Sequence, residues 1–156
     1  MKCRHCKEEL NNVMVDLETS PPSNAYLNKE ELNKPEKWFP LKVLVCDKCW
    51  LVQTEDFNEA EELFNEDYAY FSSFSSTWLD HAKKYCNDMV NRFNLNNKNL
   101  IIEIAANDGY LLQYFKEKNI PCLGIEPTAS TAKVAKEKGI DIVEEFFGRE
   151  LAKKLI

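Results

Sequence analysis

Fourteen residues, Asn99-Leu100-Ile101-Ile102-Glu103-Ile104-Ala105-Ala106-Asn107-Asp108-Gly109-Tyr110-Leu111-Leu112, leave this chain few ways to fold. A continuous apolar run with adjacent isoleucines reads as a strand buried on both faces. The small and polar residues after it make a turn, and a helical pattern follows. In open α/β sheets such a strand-turn-helix unit places a ligand at the carboxyl end of the strand, where turn backbone and free helix N–H groups converge. A ligand site is therefore expected around Glu103 to Tyr110.

The spacing narrows the ligand. Dinucleotide sites want G-x-G-x-x-G, whose third glycine would fall on Tyr110. Sites for S-adenosylmethionine follow an acidic residue with small residues at every second position, and the frame here is Glu103, Ala105, Asn107, Gly109. Ala adds one methyl group and Asn tolerates the left-handed conformation, so the turn stays feasible. Asp108 and Leu111 lie in the same candidate site. Ile120 to Glu126 reads as the next strand, and Glu126 ends it about 20 residues after the turn, where a carboxylate accepts from ribose hydroxyls. The alternative is that Glu103 and Glu126 are ordinary charged residues at strand ends.

The cysteines fix a second feature. Cys3-Arg4-His5-Cys6 and Cys46-Asp47-Lys48-Cys49 are two Cys-x-x-Cys knuckles, while Cys86 and Cys122 stand alone in apolar patterns. Two knuckles supply the four thiolates of a tetrahedral zinc site. A redox dithiol occurs once, at a helix start, and suits this pattern less. His5 is an alternative fourth ligand, and thiolates accept iron as well as zinc. With four sulfurs there is no open position for a catalytic water, so the Zn²⁺ is read as structural, standing in for a core that a short segment cannot build. Cys86 and Cys122 read as small buried hydrophobes.

At 156 residues with 44% hydrophobic content, one ordinary domain or two small ones can bury a core. A net charge of −6 and no basic stripe exclude a nucleic-acid partner. No run approaches the roughly 20 apolar residues of a membrane span, and no secretory segment is visible, so no membrane partner and a cytoplasmic location are expected.

Between the knuckles, Asn12 to Leu17 and Leu41 to Val45 alternate as strands, joined through the proline-stiffened Thr19 to Asn24, and Trp50 to Gln53 leads out of the second knuckle. The pattern is zinc-ribbon-like. Asp56 to Asp67 reads as a solvated helix rich in Glu59, Glu61, Glu62 and Glu66. The aromatic and hydroxyl residues of Asp67 to Ala82 fit a segment packed against a ligand. Ser76 or Thr77 then caps a helix whose apolar face is Trp78, Ala82, Tyr85, Met89 and Phe93. Ser130 to Lys138 reads as a helix, Ile140 to Val143 as a strand, and Gly148 onward as another helix. The domains expected are a zinc-binding domain at 1–55, a helical connector at 56–97 and half of a Rossmann-like domain at 98–156.

Taken together, the N-terminal Cys-x-x-Cys, Ser20-Pro21-Pro22-Ser23-Asn24, Phe39-Pro40-Leu41, Val45-Cys46-Asp47-Lys48-Cys49-Trp50-Leu51-Val52-Gln53, Tyr68-Ala69-Tyr70-Phe71-Ser72-Ser73 and Ile102 to Leu112 resemble the zinc-containing sugar C-methyltransferases. The resemblance runs nearly end to end. It implies an α/β fold with a small zinc-ribbon-like N-terminal domain followed by the first half of a Rossmann-like S-adenosylmethionine-dependent methyltransferase domain. It also implies a keto-deoxysugar substrate on a thymidine diphosphate carrier, deprotonated next to its ketone and methylated at carbon. By the same resemblance Glu126 holds the ribose, Asn107 to Gly109 approach the methionine portion, and Tyr70 faces cofactor or substrate, with aromatic packing as the other reading of Tyr70. The family carries further strands and a C-terminal domain, so the chain is expected to be an N-terminal fragment, inactive alone. Its first strand is expected to present an unpaired edge through which copies associate. A zinc-binding interaction module without catalysis is the alternative function.

Overall fold

The computed structural model describes residues 1–57, 59–65 and 68–156. These residues form two compact units, Met1–Leu63 and Phe64–Ile156.

The first unit is built on an antiparallel sheet of β1 (Asn12–Ser20), β2 (Phe39–Val45) and β3 (Val52–Thr54), in that spatial order. β1 runs further than its alternation predicts because two register irregularities let it stay paired with β2 as far as Ser20↔Phe39. Glu18 sits in the second irregularity with φ 64, and its N–H donates to Asp16 Oδ1 at 3.0 Å. Period-two alternation sends Leu44 and Gln53 inward as a cross-strand pair. What they meet is sulfur. The core of this unit is Cys3, Leu10, Leu44 and Cys46, with Cys6, Cys49 and Leu51 packed on it.

Helix α1 (Ala60–Leu63) is a single turn, so the solvated helix expected over Asp56 to Asp67 is not formed at that length among the described residues. Phe57, Leu63 and Phe64 are too few to bury a longer helix, and Phe64 packs instead against Tyr68 and Phe146, at ring separations of 5.3 and 6.3 Å. Asn58, and the Glu66 and Asp67 of that acidic stretch, lie outside the described residues.

The second unit holds a parallel sheet, β4 (Ile101–Ile104), β5 (Cys122–Ile125) and β6 (Asp141–Val143), in the order β4-β5-β6. Helices α3 (Leu112–Glu117) and α4 (Ala129–Glu137) make the two crossovers, and right-handed connection in a constant direction puts both on one face. Gly124 lets that packing close: a Cβ there would stand 2.4 Å from Ile142 Cδ1 and 2.8 Å from Ala106 Cβ. The core between sheet and helices is Cys86, Ala106, Leu112, Phe115, Ile120 and Ile140.

Helix α2 (Ser76–Phe93) precedes the sheet and is capped by Ser75, whose Oγ accepts the Trp78 N–H at 3.2 Å. The cap falls one residue before the expected pair. Its buried stripe is Ala82 and Cys86 with Met89 and Val90 against the core, while Trp78, Tyr85 and Phe93 stay exposed. Small side chains let α2 approach closely, which rotates the aromatic residues off the expected face. The last helix, α5 (Arg149–Lys154), buries Leu151. Among the described residues β4 lies at the sheet edge, with Ile102 and Ile104 about half exposed. No described helix is long and apolar enough to cross a membrane.

Candidate metal centre and cofactor site

The two knuckles share one backbone conformation. Lys7 N–H donates to Cys3 O at 3.0 Å and Trp50 N–H to Cys46 O at 2.9 Å, each from a residue in the left-handed region. Cys3 N–H then bonds Glu8 O at 2.7 Å, and Cys46 N–H bonds Leu51 O at 3.1 Å. Each loop thereby turns two thiols to the same side. The four sulfurs lie within 4.8 Å of one another, with Cys3–Cys49 at 3.6 Å and Cys6–Cys46 at 3.5 Å. A tetrahedron of thiolates about 2.3 Å from zinc has edges of about 3.8 Å, so the cluster fits the ion.

The thiols titrate unequally. The Cys6 N–H and the Gln53 amide hold Cys3 down to about 5, whereas Cys49, although the Leu51 N–H pulls it down, is pushed up to about 12 by burial and the neighbouring thiols. One thiolate is ready, and crowding keeps the next protonated until a cation arrives. Gln53 is a member of this site that spacing did not point to. It is buried, its Nε2 donates to Cys3 Sγ at 3.4 Å, and its Oε1 accepts the Arg4 N–H at 3.0 Å. Its inward place opposite Leu44 in the strand alternation is the signal that marks it. His5 is not in the cluster.

The second site forms at the carboxyl ends of β4 and β5. Ala105, Asn107 and Gly109 have φ of 60, 50 and 74, so every second residue of the turn is left-handed. The frame singled out by spacing is the frame that bends. Gly109 has no room for a side chain, because a Cβ would come within 2.4 Å of Ile140 Cδ1.

Glu126 meets this turn directly. Its Oε2 accepts the Asn107 N–H at 2.9 Å and its Oε1 accepts the Thr128 N–H at 2.9 Å, which ties the loop after β4 to the loop after β5. The Asn107 and Asp108 side chains point to a different partner: Asn107 Oδ1 accepts the Ser72 N–H at 2.9 Å, its Nδ2 donates to Tyr70 O at 3.1 Å, and Asp108 Oδ2 accepts the Ser73 N–H at 3.2 Å. The aromatic segment is thus brought onto the turn. Leu111 packs against the helix-side core.

Glu103 lies beneath the turn. Burial pushes its carboxyl up to about 8 against a hydrogen bond from Tyr110, and the Asp108 and Glu126 charges add to the rise. Tyr110 is in turn pushed up to about 12 by burial and by Glu103. Burial, Glu126 and Tyr70 raise Tyr68. Three phenols and three carboxyls therefore converge at this mouth. Beside it, Phe64, Ile104, Ile125, Pro127, Phe146 and Phe147 line an apolar cavity of about 250 Å³ that Glu126 borders. Four buried side-chain atoms have no hydrogen-bond partner among the described residues: Glu103 Oε2, Asp108 Oδ1, Thr128 Oγ1 and Ser130 Oγ. Glu103 lies near the end of β4, Asp108 and Thr128 in the loops after β4 and β5, and Ser130 in the first turn of α4.

Residues 3–64 match a family described as "Putative zinc binding domain". The chain is also 27% identical to C-methyltransferase NovU of Streptomyces niveus over 154 residues, which is 99% of the chain and 36% of that protein. The chain spans about a third of the length of this curated relative. Its start, with four cysteines placed to hold one metal ion, is similar to that zinc binding domain, and nearly its whole length is similar to part of a C-methyltransferase.

Proposed function

We propose that this chain is the cofactor-holding part of an S-adenosylmethionine-dependent C-methyltransferase acting on a nucleotide-linked keto-deoxysugar, with Zn²⁺ in a purely structural role. In this reading β4-β5-β6 with α3 and α4 is the first half of a Rossmann-like methyltransferase domain. The observation that carries it is the set of buried, unpartnered polar atoms of Glu103, Asp108, Thr128 and Ser130 around one strand mouth. Burying such groups without partners costs about 1–3 kcal/mol each, so a ligand with matching donors is expected there.

Charge favours a cationic ligand over a dinucleotide. The mouth presents Glu103, Asp108 and Glu126, and Lys138, which lies 3.7 Å from Asp108, is already engaged there. A pyrophosphate would meet carboxylates, whereas a sulfonium and an ammonium would be attracted. Burial keeps Glu103 protonated in isolation, and a neighbouring ammonium draws it back to the carboxylate. The second lone pairs of Glu126 remain for ribose hydroxyls, and the apolar cavity between Pro127 and Phe146 suits a flat base. Tyr70 faces the methionine end or the sugar. The bound cofactor supplies an electrophilic methyl group. The residues named here bind and orient it.

Because the chain spans about a third of its relative, binding rather than turnover is the activity to look for. Calorimetry with S-adenosylhomocysteine is expected to show one site per chain, weakened at least tenfold by Glu126→Ala. Binding of NAD with no binding of S-adenosylhomocysteine would reject the proposal. Zinc retention without binding of either would favour an interaction module.

A further inference from the structure

The Asn107 and Asp108 side chains sit in the frame expected to touch a cofactor, yet most of their hydrogen bonds go to residues 70–73. Asn107 takes two points of that stretch, accepting from Ser72 N–H and donating to Tyr70 O. Asp108 Oδ2 accepts the Ser73 N–H. Lys138, at the end of α4, completes the arrangement: its Nζ donates to Ser73 Oγ at 2.9 Å and to Asp108 O at 2.7 Å. Asp108 is almost fully buried, and this ammonium, 3.7 Å from its Oδ2, is the charge that offsets it. A 3₁₀ turn, Ser72–Phe74, is thereby tied to two separate elements.

The segment so held lies against the turn that borders the mouth. Besides burial, Glu126 and Tyr70 lie close enough to Tyr68 to raise its phenol, Tyr70 also adds to the rise at Tyr110, and the Tyr68 ring packs at a tilt, 5.3 Å from Phe64, which lines the apolar cavity.

We propose that Asn107, Asp108 and Lys138 form a clasp that fixes the strap Tyr70–Phe74 over the ligand mouth, and that Lys138 is a positioning residue for ligand binding without touching the ligand. Asn107 contributes to the site mainly through the strap and through its backbone N–H to Glu126. Asp108 divides its carboxylate, one oxygen for the strap and one left for the ligand. This rests on the cofactor reading above.

The test compares the whole chain with Lys138→Met and Lys138→Arg, using hydrogen exchange of the strap amides and calorimetry with S-adenosylhomocysteine. In Lys138→Met, Ser72 and Ser73 amide exchange is expected to quicken about tenfold and affinity to fall about tenfold, the loss of one charge-assisted contact. The melting temperature of Lys138→Met should fall as well, because buried Asp108 loses its counter-charge, and Lys138→Arg, which keeps the cation and its donors, should recover most of all three effects. Faster strap exchange with unchanged affinity overturns the positioning role. Lost affinity with unchanged strap exchange overturns the clasp. If the unsubstituted chain binds no S-adenosylhomocysteine, the cofactor reading itself falls and takes the positioning role with it.

Discussion

Glu103 is the residue whose chemistry departs furthest from its solution behaviour at the mouth of β4. Its carboxyl titrates near 4.5 when free and near about 8 in the folded chain. The folded state holds the proton longer, so this group's contribution to stability is complete below about pH 4.5 and is lost as the pH rises through about 8. Glu103→Gln removes that dependence, and thermal melts across this range should show the variant gaining on its parent as the pH rises. A difference that stays flat with pH would mean the carboxyl is not held as described. Neighbouring Ala105 shows what the sequence did make legible. The every-second-residue frame was readable because the left-handed backbone restricts which side chains fit, and the structure bends at 105, 107 and 109. The destination of the Asn107 and Asp108 side chains was not readable, because their partners Ser72 and Ser73 lie 35 residues away and nothing local encodes that meeting.

At the scale of elements, the strands were read from alternation and apolar runs, and α2 from its period. Ala82 and Met89 of the expected α2 face do pack inward, but Trp78, Tyr85 and Phe93 do not, because close approach to the core favours the smaller side chains. The acidic stretch after the zinc domain was read as a longer helix than its few apolar residues can anchor. β3 shows how a short element carries a function beyond its length: its register sets Gln53 beside Leu44 and under Cys3. Gln53→Ala removes a donor from the Cys3 sulfur and an acceptor from the Arg4 N–H. Zinc affinity, measured by competition with a chromophoric chelator, is expected to fall about 10- to 100-fold. An unchanged affinity would show that the knuckle loops hold the sulfurs without help.

Across the whole molecule, two compact units are stabilised by different means. Phe64–Ile156 has an aliphatic and aromatic core, whereas Met1–Leu63 has sulfur where such a core would be. Removal of the metal by a strong chelator is expected to erase the dispersed amide signals of the first unit while those of the second persist, since four crowded thiols cannot all ionise without a cation. Loss of both sets together would show that the units do not fold independently. The pairing of the two knuckles has a further consequence. Cys6 and Cys46 stand 40 positions apart along the polypeptide, so a captured ion acts as a cross-link that shortens the accessible path of the denatured chain. Closure entropy grows only with the logarithm of the enclosed length, about 0.6 kcal/mol per doubling. The stretch between β1 and β2 can therefore vary in length at little thermodynamic penalty, leaving evolution free to reshape it without loosening the ion.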